Sequence, residues 1–390
     1  TVSRARASVP VSEEQALWFR ARRTHLAGPG AADVEGAARA LLGAQAQQEN
    51  PALLALSLRT RGRPPASAVR ARLLEAPRRT LVRSWGQRDT LHVYAAEDWP
   101  LVVASLPAWP RTGRRGAMPT EADLEVARRA FERAGGPLFR RQLFDLVPPR
   151  FLEEVAGHPG AGKRPEVLAA SRLIWYLARR GEICFAHKEG NEQAYVHRDF
   201  WLPDFERTPS GDQEDASVSL ARRYLSAFAP AAPADLAHFF GSTVGAARGW
   251  LERLDGELVN VESGSRRELL ALAEDVDELA AEPPRGLGDW PVRLLPQWDT
   301  HTMTHKDKSW VVPREEELKR VWRPAAVNAP TVVARGRFVA TWAHRATTKR
   351  VTVTVSPLSG WRASHRRQVE REARQLAAHL DVEGHEVIVE

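Results

Sequence analysis

Between residues 12 and 60 the apolar positions recur every three or four residues, the spacing of helices that bury one face. Residues 12 to about 30 and 33–43 are predicted as helices. The second carries Val34, Ala37, Leu41 and Leu42 on one stripe and ends at Gly43, a residue type that readily stops a helix. Asn50 is a good N-cap and Pro51 a good first helical residue, so the next helix is expected from Pro51 to about residue 59, with another at 66–76. At 80–85 and 90–95 the period shortens to alternation around the turn-forming residues 86–89, which predicts a hairpin.

The same order recurs. Helical spacing at 121–134, 140–147 and 166–180 precedes strand-like runs at 181–186 and 194–197 around Gly190-Asn191. A third round has helices at 217–228, 232–240 and 244–254 and strands at 258–262 and 268–271. Helices closed by a hairpin describe a winged helix, so an α+β fold of three tandem winged-helix modules is expected, at 1–110, 111–212 and 213–287. Pro148-Pro149 and Pro283-Pro284 are candidate joints. From 288 to 390 the texture is β-rich, with runs at 291–295, 331–338 and 350–355, a long helix at 364–379 and a closing strand at 387–389.

The break between the first two helical patterns and the third carries the chemistry. Gln45-Ala46-Gln47-Gln48-Glu49-Asn50-Pro51 clusters neutral amides in a linker. Residues two apart share a side only in an extended segment, so Gln45 and Gln47 converge only if the linker is extended. Two amides supply donors and acceptors and can orient one water, but neither is a strong base. The matching substrate has a leaving group that needs little help. A purine alkylated at N7 is such a group, because the cationic ring departs as a neutral base and needs no general acid. On chemistry alone, a solvated connector rich in glutamine is the plainer reading.

Composition narrows the field. With 390 residues, several compact units and a large core are expected. The formal charge is +7, and Arg supplies most of the cations, since Lys occurs only six times. Arginine suits phosphate, although the same bias follows from genome composition. The single cysteine, Cys184, excludes a disulfide framework, a thiolate zinc site and a four-cysteine cluster within one chain, and it reads as a buried strand residue. No apolar run of about 18 residues or basic-then-apolar leader occurs, so a cytoplasmic, nucleoid-associated protein without a membrane partner is expected. The chain begins at Thr1 rather than Met, so a few first residues are expected to be missing.

Three ordered blocks resemble the AlkZ and YcaQ type of winged-helix DNA glycosylases. The first is Leu41-Leu42-Gly43-Ala44-Gln45-Ala46-Gln47. The second, Leu81-Val82-Arg83-Ser84-Trp85-Gly86-Gln87-Arg88-Asp89-Thr90-Leu91-His92, is similar to the family's Arg-x-Trp-x-x-Arg-x-Thr-Leu-His hairpin. The third is Leu294-Leu295-Pro296-Gln297-Trp298-Asp299. The housekeeping branch places Asp at the second polar position of the first block, whereas this chain has Gln47, as in the Gln-x-Gln branch associated with self-resistance to DNA-alkylating natural products. The resemblance implies a small β-barrel-like C-terminal domain. It also implies a monofunctional enzyme that hydrolyses the N-glycosidic bond of bulky N7-alkylpurines, interstrand crosslinks among them, in double-stranded DNA, with no cofactor, metal or obligate protein partner. Gln45 and Gln47 would be catalytic.

Several residues are candidate DNA contacts. Gln48 and Asn50 flank the pair and are suited to fixing the loop. Arg59 and Arg61 follow it in a basic turn, or in a solvated loop. Arg83 and Arg88 flank the first hairpin turn, where a salt bridge to Asp89 or Asp98 is the competing role. His301, His305, Lys306 and Lys308 follow the third block; the resemblance implies a DNA-probing hairpin there, against an exposed polar loop. Residues 157–163 have phosphate-loop spacing, but Arg164 replaces the magnesium-binding Ser or Thr, and no nucleotide site is expected. The competing functions are a non-catalytic winged-helix regulator that reads a DNA sequence, or a protein that sequesters a toxin.

Overall fold

The computed structural model describes residues 6–106, 117–158, 162–202, 212–324 and 327–390. The expected module boundary at 110/111 and part of the phosphate-loop match lie outside them. Contacts divide the chain into two compact units, one formed by Thr1–Arg70 with Val218–Glu390 and the other by Ala71–Ser217. Residues 1–110, expected as one module, contribute to both.

In the second unit, Leu81–Trp85 pairs antiparallel with Leu91–Ala95, Arg83 lying opposite Val93. Gly86 is fixed by space: a Cβ there would fall 1.7 Å from the Tyr94 hydroxyl, which donates to Gln87 Oε1 at 2.6 Å. Arg88 and Asp89 both turn through left-handed backbone, which closes the hairpin. Glu121–Ala134, started by a Thr120/Asp123 capping box, Pro149–Ala156 and Pro165–Arg179 follow. They bury Leu124, Phe131, Phe151, Leu173 and Ile174 in one core. A second hairpin, Ile183–Glu189 with Glu192–His197, takes the short strand Leu138–Phe139 onto its edge. Pro148-Pro149, expected as a joint, starts a helix: Pro149 sits at the first position, where its missing N–H costs nothing.

In the first unit, Ser12 and Gln15 form a capping box that starts the helix Glu13–Arg23. Ser8–Pro10, just before it, runs parallel to Leu258–Glu262, which pairs in turn with Leu269–Leu272. Leu17, Phe19, Trp290, Leu295 and Trp310 share the core of this region.

The C-terminal part corrects the expected barrel. Its strands form an open five-stranded sheet in the order Arg293–Leu295, Thr331–Ala334, Arg337–Ala346, Arg350–Pro357, Gly384–Val389, and the two outer strands do not meet. The last two run parallel, and such a pair needs a crossover, here the helix Ala363–His379. Its Val369, Ala373, Leu376 and Ala377 bury one face against Val332, Val351 and Val353. The run 331–338, expected as one strand, is two, split at Arg335-Gly336. Both residues are left-handed, and a Cβ on Gly336 would approach Leu17 Cβ to 2.7 Å.

Candidate active site

The amide loop begins at a strained helix end. Val34–Ala40 closes with Leu42 N–H on Arg39 O at 3.0 Å and Gly43 N–H on Ala38 O at 3.0 Å, the two bonds of a Schellman motif. Leu42, not a glycine, takes the left-handed position at φ 52°, a conformation that costs a branched residue about 1–2 kcal/mol. Gly43, at φ 95°, then turns the chain into the extended pair Ala44–Gln45. Gln48 is also extended, at φ −114° and ψ 141°. The extended strand covers Ala44–Gln45, and the chain bends at Gln47 and Gln48 before the helix.

The two glutamines are not equivalent. Gln45 is buried, at 8% exposure, between fully buried Ala44 and Ala46. Gln47, Gln48 and Asn50 are exposed. One amide is therefore built into the protein and the other presented at its surface.

The following helix starts two residues earlier than expected, at Glu49, and runs to Ser57. Gln48 stands at the N-cap without a capping side-chain bond, Asn50 is the second helical residue and Pro51 the third. Proline is still tolerated there, because the N–H groups of the first turn have no acceptor within the helix. Glu49 in that turn favours the positive end of the helix dipole. The start is pinned from outside: Arg70 Nε donates to Glu49 Oε1 at 2.8 Å and Arg70 Nη2 to Asn50 Oδ1 at 3.0 Å. Arg70 lies on Ala66–Leu74, twenty residues on, and nothing in its local sequence marks it. Asn50 thus fixes the loop through an arginine.

The other end of the helix is held by the third block. Arg59 is 0% exposed, and its Nη1 and Nη2 each donate to an Asp299 carboxylate oxygen at 2.8 Å, Nη1 also reaching Ala55 O at 3.0 Å. Asp299 in turn caps Thr300–Met303 by accepting from His301 N–H at 2.9 Å. The expected contact between Arg59 and DNA is therefore corrected, since a fully buried, doubly bonded guanidinium has no surface to offer a duplex. Arg61, two residues on, is exposed.

The probing hairpin expected at 301–310 is likewise corrected. Its first half, 301–305, is mostly buried and helical. His301 Nε2 lies 2.9 Å from Gly336 O, and His305 lies 2.9 Å from Thr304 Oγ1 and 3.4 Å from Pro230 O. Burial lowers His301 to a pKa of about 4 and holds His305 well below the ordinary imidazole range, so both are neutral packing groups. Lys308 is turned inward, its Nζ donating to Thr302 O at 3.1 Å and His305 O at 2.5 Å. Lys306 is exposed, its backbone N–H on Asp235 Oδ1 at 2.8 Å.

In this unit an exposed basic hairpin does occur, elsewhere. Residues 343–350, where Arg337–Ala346 turns into Arg350–Pro357, are exposed throughout and include Arg345, Lys349 and Arg350. Sequence reading missed it, although a polar run between two alternating apolar strands is its signal.

In the other unit, Arg83 is buried over the Phe185 ring at 4.9 Å and reaches Gln193 Oε1 at 3.4 Å. It is a packing residue, which corrects its expected role at DNA. Arg88 is half-buried on the left-handed turn, while Asp89 pairs with Arg179. His92, buried and lowered to about 3, is neutral. Burial pushes the Cys184 thiol up, which makes it inert. Among the described residues no group of three His, Cys, Asp or Glu side chains is placed to hold a metal ion.

The family described as DNA glycosylase AlkZ-like matches residues 38–379. Among solved structures, the chain is similar to Streptomyces sahachiroi DNA glycosylase AlkZ, with a TM-score of 0.79 and 21% identity over 98% of this chain and 100% of that one. No curated protein matches. The matched span takes in the amide loop, the first hairpin and the Asp299 block, which favours a glycosylase over a sequence-reading regulator. The chain belongs to the AlkZ-like DNA glycosylases.

Proposed function

We propose that the chain is a monofunctional glycosylase of the Gln-x-Gln branch, built as three tandem winged-helix modules, which removes bulky N7-alkylpurines from duplex DNA, interstrand crosslinks included, as self-resistance to a DNA-alkylating natural product. The observation that carries this reading is the exposed Gln47 two residues after the buried Gln45 that ends a short strand, in a loop whose only carboxylate, Glu49, is engaged by Arg70.

Such a loop fits a reaction with an already activated leaving group. The C1′–N9 bond breaks, its electron pair neutralises the cationic purine, and the base leaves uncharged. A water oxygen then bonds to C1′ and its proton passes to solvent. Gln47 holds that water by accepting from it, and Gln45 fixes the register of the loop from within. Their carbonyl dipoles face the sugar cation, and such preorganised dipoles stabilise developing charge. No lysine occurs in the loop or in the helix after it to form a Schiff base, so strand cleavage by a lyase step is not expected. Gln48, Arg61, Lys306 and the 343–350 hairpin tip are the surface groups that suit DNA contact.

The test is single-turnover release of free base from a duplex carrying one N7-alkylguanine, followed by a strand-cleavage gel with and without alkali. Free base with strands cut only after alkali supports the reading. Cut strands without alkali would overturn the monofunctional assignment, and no release from either a methyl or a bulky adduct would overturn the lesion class.

A further inference from the structure

We propose that the outward face of the helix Ala363–His379 is a second DNA-binding surface, which tracks backbone phosphates. Arg367, Arg371 and Arg374 are exposed on the side opposite the buried Val369, Ala373, Leu376 and Ala377. At spacings of four and three residues they form one stripe of like charge, an arrangement that destabilises an isolated helix. None of the three makes an ion pair or hydrogen bond with another described residue.

What separates the stripe from a general excess of arginine is the grouping of three such residues on one helix face. Several other arginines of this unit have carboxylate partners: Arg222 bonds Glu257 and Glu274, Arg248 bonds Glu268, and Arg335 bonds Glu14, whereas Arg61, Arg267, Arg314 and Arg345 are exposed without an ion pair among the described residues. On the same helix Arg366 faces Glu370 at 3.4 Å. A compositional bias would scatter arginines without leaving three neighbours on one face unpaired.

The spacing suits a polyanion. Seven residues of helix rise about 10 Å, and over that length one DNA strand presents about three phosphates. The helix is also braced on the loop's own helix. Leu54 of Glu49–Ser57 packs on the core beneath it, Arg63 pairs with Glu372 at 2.9 Å, and His379 Nδ1 lies 3.4 Å from Pro64 O. The inference uses membership in a DNA glycosylase family but not the proposed lesion.

The test is a salt titration of binding to an undamaged duplex, comparing wild type with the triple variant Arg367→Ala/Arg371→Ala/Arg374→Ala. Each phosphate contact contributes about 0.9 to the log–log slope, so the triple variant should lose about 2 to 3 units of slope, uniformly across DNA sequences. The triple Lys variant should keep it, and Arg371→Glu, which leaves the other two arginines, should lower it as well. An unaltered slope in both the triple Ala and the Glu variants would overturn the proposal, as would loss of binding to anionic lipid vesicles with DNA binding intact. Because the DNA is undamaged, failure here is distinct from failure of the proposed lesion chemistry.

Discussion

Residues 45–50 and 301–308 are both short polar segments that follow an apolar block, yet they do opposite work. The first presents Gln47 and Gln48 to solvent from a bend and Asn50 from the first turn of the helix. The second folds inward, with His301 at 7% and His305 at 5% exposure, and it anchors Asp299 to Arg59. The difference lies in what surrounds each. The amide loop leaves a left-handed helix end and enters a helix whose first turn is held by Arg70, which leaves Gln47 and Gln48 at the surface. The histidine segment lies under the Arg335-Gly336 turn, whose carbonyl takes up the His301 ring. On the proposed reading one segment is displayed for chemistry, and the other packs behind the helix that follows it.

The comparison breaks most sharply at the buried pair. Removing one partner of a buried ion pair strands the other charge, a cost of about 3–5 kcal/mol. Asp299→Ala should lower stability by that order in a denaturant titration, while base release per folded molecule changes little. If Asp299→Ala instead stops base release in molecules that remain folded, the histidine segment belongs to the chemistry.

The loop should show the reverse. Gln45→Ala and Gln47→Ala are each expected to slow excision at least about tenfold, roughly 1.4 kcal/mol of barrier, with little loss of duplex affinity in a binding titration. Gln45→Ala should also cost stability, because Gln45 is buried; exposed Gln47→Ala should not.

Acid separates the two segments further. Burial lowers His301 to about 4, so the folded state keeps it neutral while the unfolded chain takes up a proton below about 6.5. Stability from this group is complete above that value and is lost as the pH falls from about 6.5 to about 4. His301→Gln should flatten part of the decline in denaturant midpoint over that window. Amides do not titrate there, so base release per folded molecule should stay level.

The smallest effect is expected at Arg70, whose bonds to Glu49 and Asn50 are partly exposed. Exposed pairs contribute about 1 kcal/mol or less. Arg70→Ala should slow release by no more than about fivefold without weakening duplex binding, as single-turnover rates and a binding titration would show.

What could be read in the chain was local. The first hairpin's strands, the extended linker and most of the helices follow from period, glycine and caps within a few residues. What could not be read depended on distant partners. Arg59 looks like a surface cation until Asp299, 240 residues later, is placed beside it. His301 looks like a groove-probing side chain until Gly336 covers it. The run 331–338 looks like one strand because Arg335-Gly336 sits between two apolar stretches, and closure into a barrel depends on an edge pairing that no local pattern encodes. The amide loop's composition was legible because it is local: Gln47 and Gln48 stay exposed, while Glu49 and Asn50 are held by Arg70.

The most direct test is single-turnover release of an N7-alkylguanine by wild type, Gln47→Ala and His301→Ala, each rate normalised to the folded fraction. The account predicts release at least about tenfold slower for Gln47→Ala and near wild type for folded His301→Ala. Wild-type release by Gln47→Ala, with release lost in folded His301→Ala, would contradict it.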